Sequence, residues 1–230
     1  MNSVLNIKEI AIAIVADSFN PLLLTADFLK YGGIIPADWE LSRQPVLSAM
    51  ASQVVFQSGV SILAQANRLL FVEALVATDP KEVTLATIAQ KYTHALPQAN
   101  YQAVGINFTG FANLMGDTVH HYLTNTLLAP GPWHSFGETA PRATFRLSYT
   151  LKQAQLNLDI AEVNWQISER EEQPAILFAA NFDHLLQSST PSGRLQELNQ
   201  AIDRWPTYLE TYHNLVNSRF LQPERAVSPV

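Results

Sequence analysis

Residues 101–133 repeat, at an offset of 94, a pattern already present at 7–39. Val104, Ile106 and Phe108 fall 94 positions after Ile10, Ile12 and Ile14. Ala11 and Ala13 map onto Gly105 and Asn107, and Phe28-Leu29 onto Tyr122-Leu123. Pro36-Ala37-Asp38-Trp39 maps onto Pro130-Gly131-Pro132-Trp133. A pattern recurring at a fixed interval predicts one supersecondary unit used twice, so the fold is expected to be pseudo-symmetric. The expected organisation is a first half over 1–98, a second over 99–221, and a tail over 222–230 rich in proline and small residues. The two halves are expected to share one sheet and form a single domain.

Local patterns fill in the unit. Ile10, Ile12 and Ile14 alternate with small residues, which predicts a strand with one large and one small face. Asn20-Pro21 has the form of a helix cap and first position, and Gly32-Gly33 of a stop, so a helix of about three turns is expected between them. Strands at 48–56, 60–65 and 69–75, separated by tight turns at Gln57-Ser58-Gly59 and around Asn67, predict an antiparallel meander. A helix at 84–95 closes the first half. The second half is expected to run as a strand to about 111, a helix from Asp117 to about 127, and strands at 143–151, 155–167 and 175–183 with a tip at 168–173. A helical region at 194–220, kinked at Trp205-Pro206, comes last.

Each half therefore reads as β-α-β(3–4)-α, an α+β pattern. In topology this resembles the TATA-binding-protein-like fold. That resemblance implies a curved antiparallel sheet, built by tandem duplication, with helices on one face. It rests on element order and carries no DNA-binding residue across. The basic and wedge-forming aromatic side chains of a minor-groove saddle are not spaced on alternating strand positions here.

Composition narrows the function classes. A net charge of −6 argues against nucleic acid or anionic lipid as a partner. With no cysteine, the chain has no disulfide, thiol nucleophile or thiolate metal site. The first residues lack a basic leader, and no run of about 18 apolar residues occurs, so a soluble, cytoplasmic protein without signal peptide or membrane span is expected.

The most suggestive chemistry lies at Asp117, His120 and His121, followed by His134 and Glu138. On a helix, Asp117 and His121 sit one turn apart, the spacing of two metal ligands, and the histidines could carry protons. The same residues serve equally as a helix cap and half-buried helix positions. His134-Ser135 lacks the Gly-x-Ser-x-Gly elbow of a hydrolase, and neither a P-loop nor a dinucleotide fingerprint occurs, so no cofactor is expected.

Trp39 and Trp133, being repeat-related, are expected to pack at the corner between helix and strand. If the first strands of the two halves pair, the face bearing Ala11, Ala13, Gly105 and Asn107 should be low in the middle of the sheet. A helix packed closely over that face would equally require small residues there. The leading expectation is a non-enzymatic module for protein interaction or assembly, with a protein partner or a second copy of itself. The alternatives are a metal-dependent or acid–base enzyme using Asp117, His120 and His121, and a carrier of a small apolar ligand.

Overall fold

The computed structural model describes residues 4–75, 83–114, 119–139, 141–168 and 171–222. Among them the molecule is α+β, with one antiparallel sheet of eight strands. The strands are β1 (Asn6–Ala16), β2 (Ala51–Val55), β3 (Val60–Gln65), β4 (Arg68–Ala74), β5 (Tyr101–Ala112), β6 (Thr144–Thr150), β7 (Gln155–Ser168) and β8 (Glu171–Leu185). They lie in the order β2-β3-β4-β1-β5-β8-β7-β6. At the centre β1 and β5 pair with Ile12 opposite Ile106, Ile10 opposite Phe108 and Ile14 opposite Val104.

Because every strand alternates, the register lines up side chains across the sheet. One transverse row takes a residue from each strand: Val54, Ile62, Phe71, Ile12, Ile106, Phe182, Leu156 and Tyr149. All but Tyr149 are buried. The helices cover this face. Tyr92 of α2 (Leu85–Ala95) meets Phe71 edge-on at 5.5 Å. The long C-terminal region forms α4 (Pro191–Asp203) and α5 (Trp205–Leu215). Tyr208 and Tyr212 of α5 stack on Phe182 and Phe108 at 4.5 and 5.7 Å. Burying rings and branched side chains of this size contributes about 1.5–3 kcal/mol each, so this layer is the main source of stability.

The expected first helix is two pieces. Asn20 does cap, accepting from the Leu22 N–H, but it caps only a single 3-10 turn, Pro21–Leu23. Leu24 turns fully inward, Thr25 accepts from the Phe28 N–H at 3.0 Å, and α1 (Ala26–Tyr31) starts afresh. Burial of Leu24 thus wins over an unbroken ladder. Gly33, at φ 63°, ends α1 as its sequence position implies.

In the second half the expected helix start at Asp117 lies outside the described residues. From 119 the chain forms α3 (Val119–His121) and widens into a π-helical turn, Tyr122–Leu127, which ends with the Leu128 N–H donating to the Leu123 carbonyl. Strand β8 starts at Glu171, earlier than expected, and holds Pro174 within it. Pro174 is tolerated because β8 pairs with β5 only from Ile176 onward; nearer the tip, among the described residues, no strand pairs with its β5 side, where a backbone N–H would otherwise be needed. The 194–220 region breaks at Arg204, beside the expected Trp205-Pro206 kink, and begins earlier, at Pro191, capped by Thr190. The tail beyond 222 is outside the described residues.

No helix among the described residues is long and apolar enough to cross a membrane.

Candidate interaction face

The sheet face opposite the helices is where the two central strands, β1 and β5, put their small residues. Ala11 faces Val72 on one side and Asn107 on the other; Ala13 sits between Leu70 and Gly105. Among the described residues the helix–sheet ring contacts all lie on the opposite face from these small residues. At Gly105 a β-carbon would come within 2.7 Å of the Asn181 Nδ2, so glycine there admits a neighbouring amide.

Outward along the register, the face has two characters. On the first-half side the rows run through Leu63, Leu70, Val72, Ala11 and Ala13, an apolar shelf broken by Ser61 and edged by Gln53. On the second-half side one row continues as Asn107, Asn181, Asn157 and Ser148 across four adjacent strands. Its members are bonded to one another: Asn181 Nδ2 donates to Asn107 Oδ1 and Ser148 Oγ to Asn157 Oδ1, both at 2.7 Å. Asn107 Nδ2 in turn donates to the backbone carbonyls of Ala11 and Gly105. The next rows bring in Asp183, Gln155 and Thr150, then Asp159 and Arg146. Arg146 grips Asp159 through two bonds of 2.6 and 2.7 Å, which holds the Asp159 carboxyl below the ordinary range. At one end of the face Trp165 lies against Phe111, centroids 4.1 Å apart, with the Lys8 ammonium 5.7 Å from the indole. Glu9, also on this face, has its pKa raised by partial burial.

Of the residues that suggest chemistry, Asp117 lies outside the described residues. His120 reaches from α3 to Glu162 of β7, Nδ1 to carboxylate oxygen 3.5 Å, at the rim between helices and sheet. His121, the next residue of α3, and His134 complete no ligand set with them: no three His, Asp or Glu side chains gather at metal-binding spacing among the described residues. His134 sits in a 3-10 turn, Pro132–Ser135, against the edge of Trp133, with its Nε2 buried and unbonded. Glu138 lies exposed beyond that turn.

The two tryptophans part company. Trp39 packs on Phe56 at 5.4 Å as expected, whereas Trp133 is 47% exposed and folds back over Gly131 rather than into the core, a correction to the corner role read for it.

The amide row was not anticipated beyond Asn107. Its signal is polar residues at alternate positions, Asn157 and Asp159 in one strand and Asn181 and Asp183 in another, which becomes a row only once the strand register is known. A cleft of about 570 Å³ between the loops at 17–20 and 95–100 is lined by polar groups such as Asp17, Asn20 and Asn100 as well as by Phe19 and Leu96. It lies at the ends of β1 and β5 rather than between sheet and helices, the layer in which a carrier of an apolar ligand would hold it. Compared with protein-family models, curated proteins and solved structures, the chain shows no match to any of them.

Proposed function

We propose that this chain is a tandemly duplicated module of TATA-binding-protein-like topology that works by binding protein through its uncovered sheet face, without catalysing a reaction. The observation that carries the reading is the composition of that face: an apolar shelf of half-buried Leu63, Leu70 and Val72, with Ala11 and Ala13 sunk between them and β5, beside an amide row. Protein interfaces combine an apolar centre with fixed hydrogen-bonding groups in this way. Two features support duplication. The strand order is the same read outward from the centre in either direction, once each strand of the second half is matched to its counterpart in the first. Ile12 is opposite Ile106, its own equivalent at the offset of 94, as a two-fold axis between them requires.

Nucleic acid is disfavoured as the ligand of this face. Glu9, Asp183 and Asp159 lie on it, and the guanidinium of Arg146 is already engaged by Asp159. A metal or acid–base reading would begin from His120 and Glu162, two ligands where a structural zinc site uses four. A reducing cytosol suits a chain that has no disulfide to lose.

Light scattering on the eluting protein, together with affinity capture from its native cell, tests the reading. Leu70→Asp and Val72→Asp are expected to abolish capture of the partner while leaving the melting transition cooperative. A strict monomer that reproducibly captures nothing, or capture indifferent to both changes, refutes it.

A further inference from the structure

The two edges of the sheet are finished differently. Beyond β2, residues 40–46 seal the edge: Ser42 N–H donates to Val55 O, Val46 and Gln53 exchange both backbone bonds, and Gln57 N–H donates to Glu40 O. Beyond β6 no such seal exists among the described residues. A strand with one unpaired side is a template for another strand, and proteins usually guard it with charge, proline or a bulge. Strand β6, Thr-Phe-Arg-Leu-Ser-Tyr-Thr, has no proline and pairs with β7 without a register shift. Its only charge, Arg146, is bound to Asp159.

We infer that β6 pairs antiparallel with β6 of a second copy of this chain, about a two-fold axis at Leu147, making one continuous sheet through both molecules. The strand is self-complementary about that residue. Phe145 meets the second copy's Tyr149, Arg146 meets its Ser148, Thr144 meets its Thr150, and Leu147 meets Leu147. Aromatic and apolar residues thus oppose each other on the helix-side face, where Phe145, Leu147 and Tyr149 are each only half-buried in the single chain. On the other face no like charges oppose. A register moved one residue towards the strand's start, centred on Arg146, would set that cation against itself. Closed two-fold pairing uses up both free edges, so assembly stops at a dimer. The inference concerns the edge and not the face, and stands whether or not the face docks another protein.

The full chain tests it by sedimentation or light scattering across a concentration series, with hydrogen exchange read at 144–150. Dimerisation, with these amides protected more strongly as concentration rises, is expected. S148K sets a cation opposite the second copy's Arg146 at two symmetric places and should weaken the dimer about tenfold; S148E should tighten it. Far-UV circular dichroism and a melting curve confirm that each variant folds, and if S148K does not, S148E and the exchange data decide alone. A chain monomeric at every concentration, or a dimer that ignores both charges and leaves the β6 amides unprotected, overturns the inference. Loss of partner capture in the Leu70 and Val72 variants with the dimer intact would separate the two interfaces.

Discussion

Glu73 is a carboxylate on the helix side of β4, only 6% exposed, in the row between Ile10 and Val60. One of its oxygens accepts from the Thr84 and Leu85 N–H groups at 3.1 and 2.9 Å and so caps α2, at a helix start where Thr84 makes no side-chain cap of its own. A strand residue thereby does the work usually done by the residue before the helix. Burial nevertheless outweighs those two bonds and raises its pKa above 4.5. A raised carboxyl pKa means the folded state holds the proton better than the unfolded one. Its contribution is thus greatest below 4.5 and declines as pH rises through the elevated value. Glu73→Ala should cost about 1–2 kcal/mol in urea denaturation, because both α2 donors lose their acceptor. Glu73→Gln keeps an acceptor oxygen and removes the charge. It should cost less at neutral pH, and its stability should no longer decline as pH rises above 4.5. If the two variants lose equal stability and keep the parent's pH dependence, Glu73 is not the cap.

At the scale of elements, α1 shows where local chemistry competes with the core. Thr25 starts the helix that carries Leu29, fully buried, and Phe28, which meets Tyr92 edge-on at 5.6 Å. Asn20 caps only the 3-10 turn before it. Thr25→Ala should therefore lower stability by about 1 kcal/mol and Asn20→Ala by distinctly less; equal losses would mean that the 3-10 turn and α1 form one cooperative helix. The sequence pattern points to Asn20 because Asn-Pro is the stronger local signal, and nothing local reveals that Leu24 must turn inward. The strands were more legible. Alternation of Ile10, Ile12 and Ile14, or of Val104, Ile106 and Phe108, directly encodes a two-faced ribbon, and each is buried on the helix side. Their ends were less so: Pro174 falls just before the expected strand at 175–183, and its place inside β8 follows only once β8 is seen to pair with β5 from Ile176 onward. The same limit hid the amide row, since Asn107, Asn181 and Asn157 come from strands up to 74 residues apart and meet only through register. His120 finds Glu162 for a similar reason, across the gap between layers, where sequence spacing points to its helical neighbours instead.

For the molecule as a whole, the seam between β1 and β5 decides whether the halves are one body. Along it the strands pair from Asn6 opposite Phe111 to Ala16 opposite Tyr101, and the large-residue row crosses it unbroken. Side-chain bonds also span the halves. Leu5 N–H donates to Asn217 Oδ1 at 3.0 Å, and Gln90 Nε2 to Asp203 Oδ1 at 2.7 Å. At the joint Asp17 accepts from Asn100 and Gln102. A half on its own would expose the inner edge of β1 or β5 and lose these bonds, leaving a four-stranded sheet with a raw hydrophobic margin. Cutting the chain after Gln98 should therefore give two pieces, neither of which unfolds cooperatively alone. Co-expressed, they should co-purify in equal amounts with micromolar or tighter affinity, about 8 kcal/mol, and recover the circular dichroism of the intact chain. The pieces should also melt lower than the parent, and more so on dilution, because joining them is no longer intramolecular. A sharp transition in 1–98 by itself, with no affinity for 99–230, would instead make the halves separate domains that merely share a hydrogen-bonded border, and the pairing of Ile12 with Ile106 would then carry no energetic meaning.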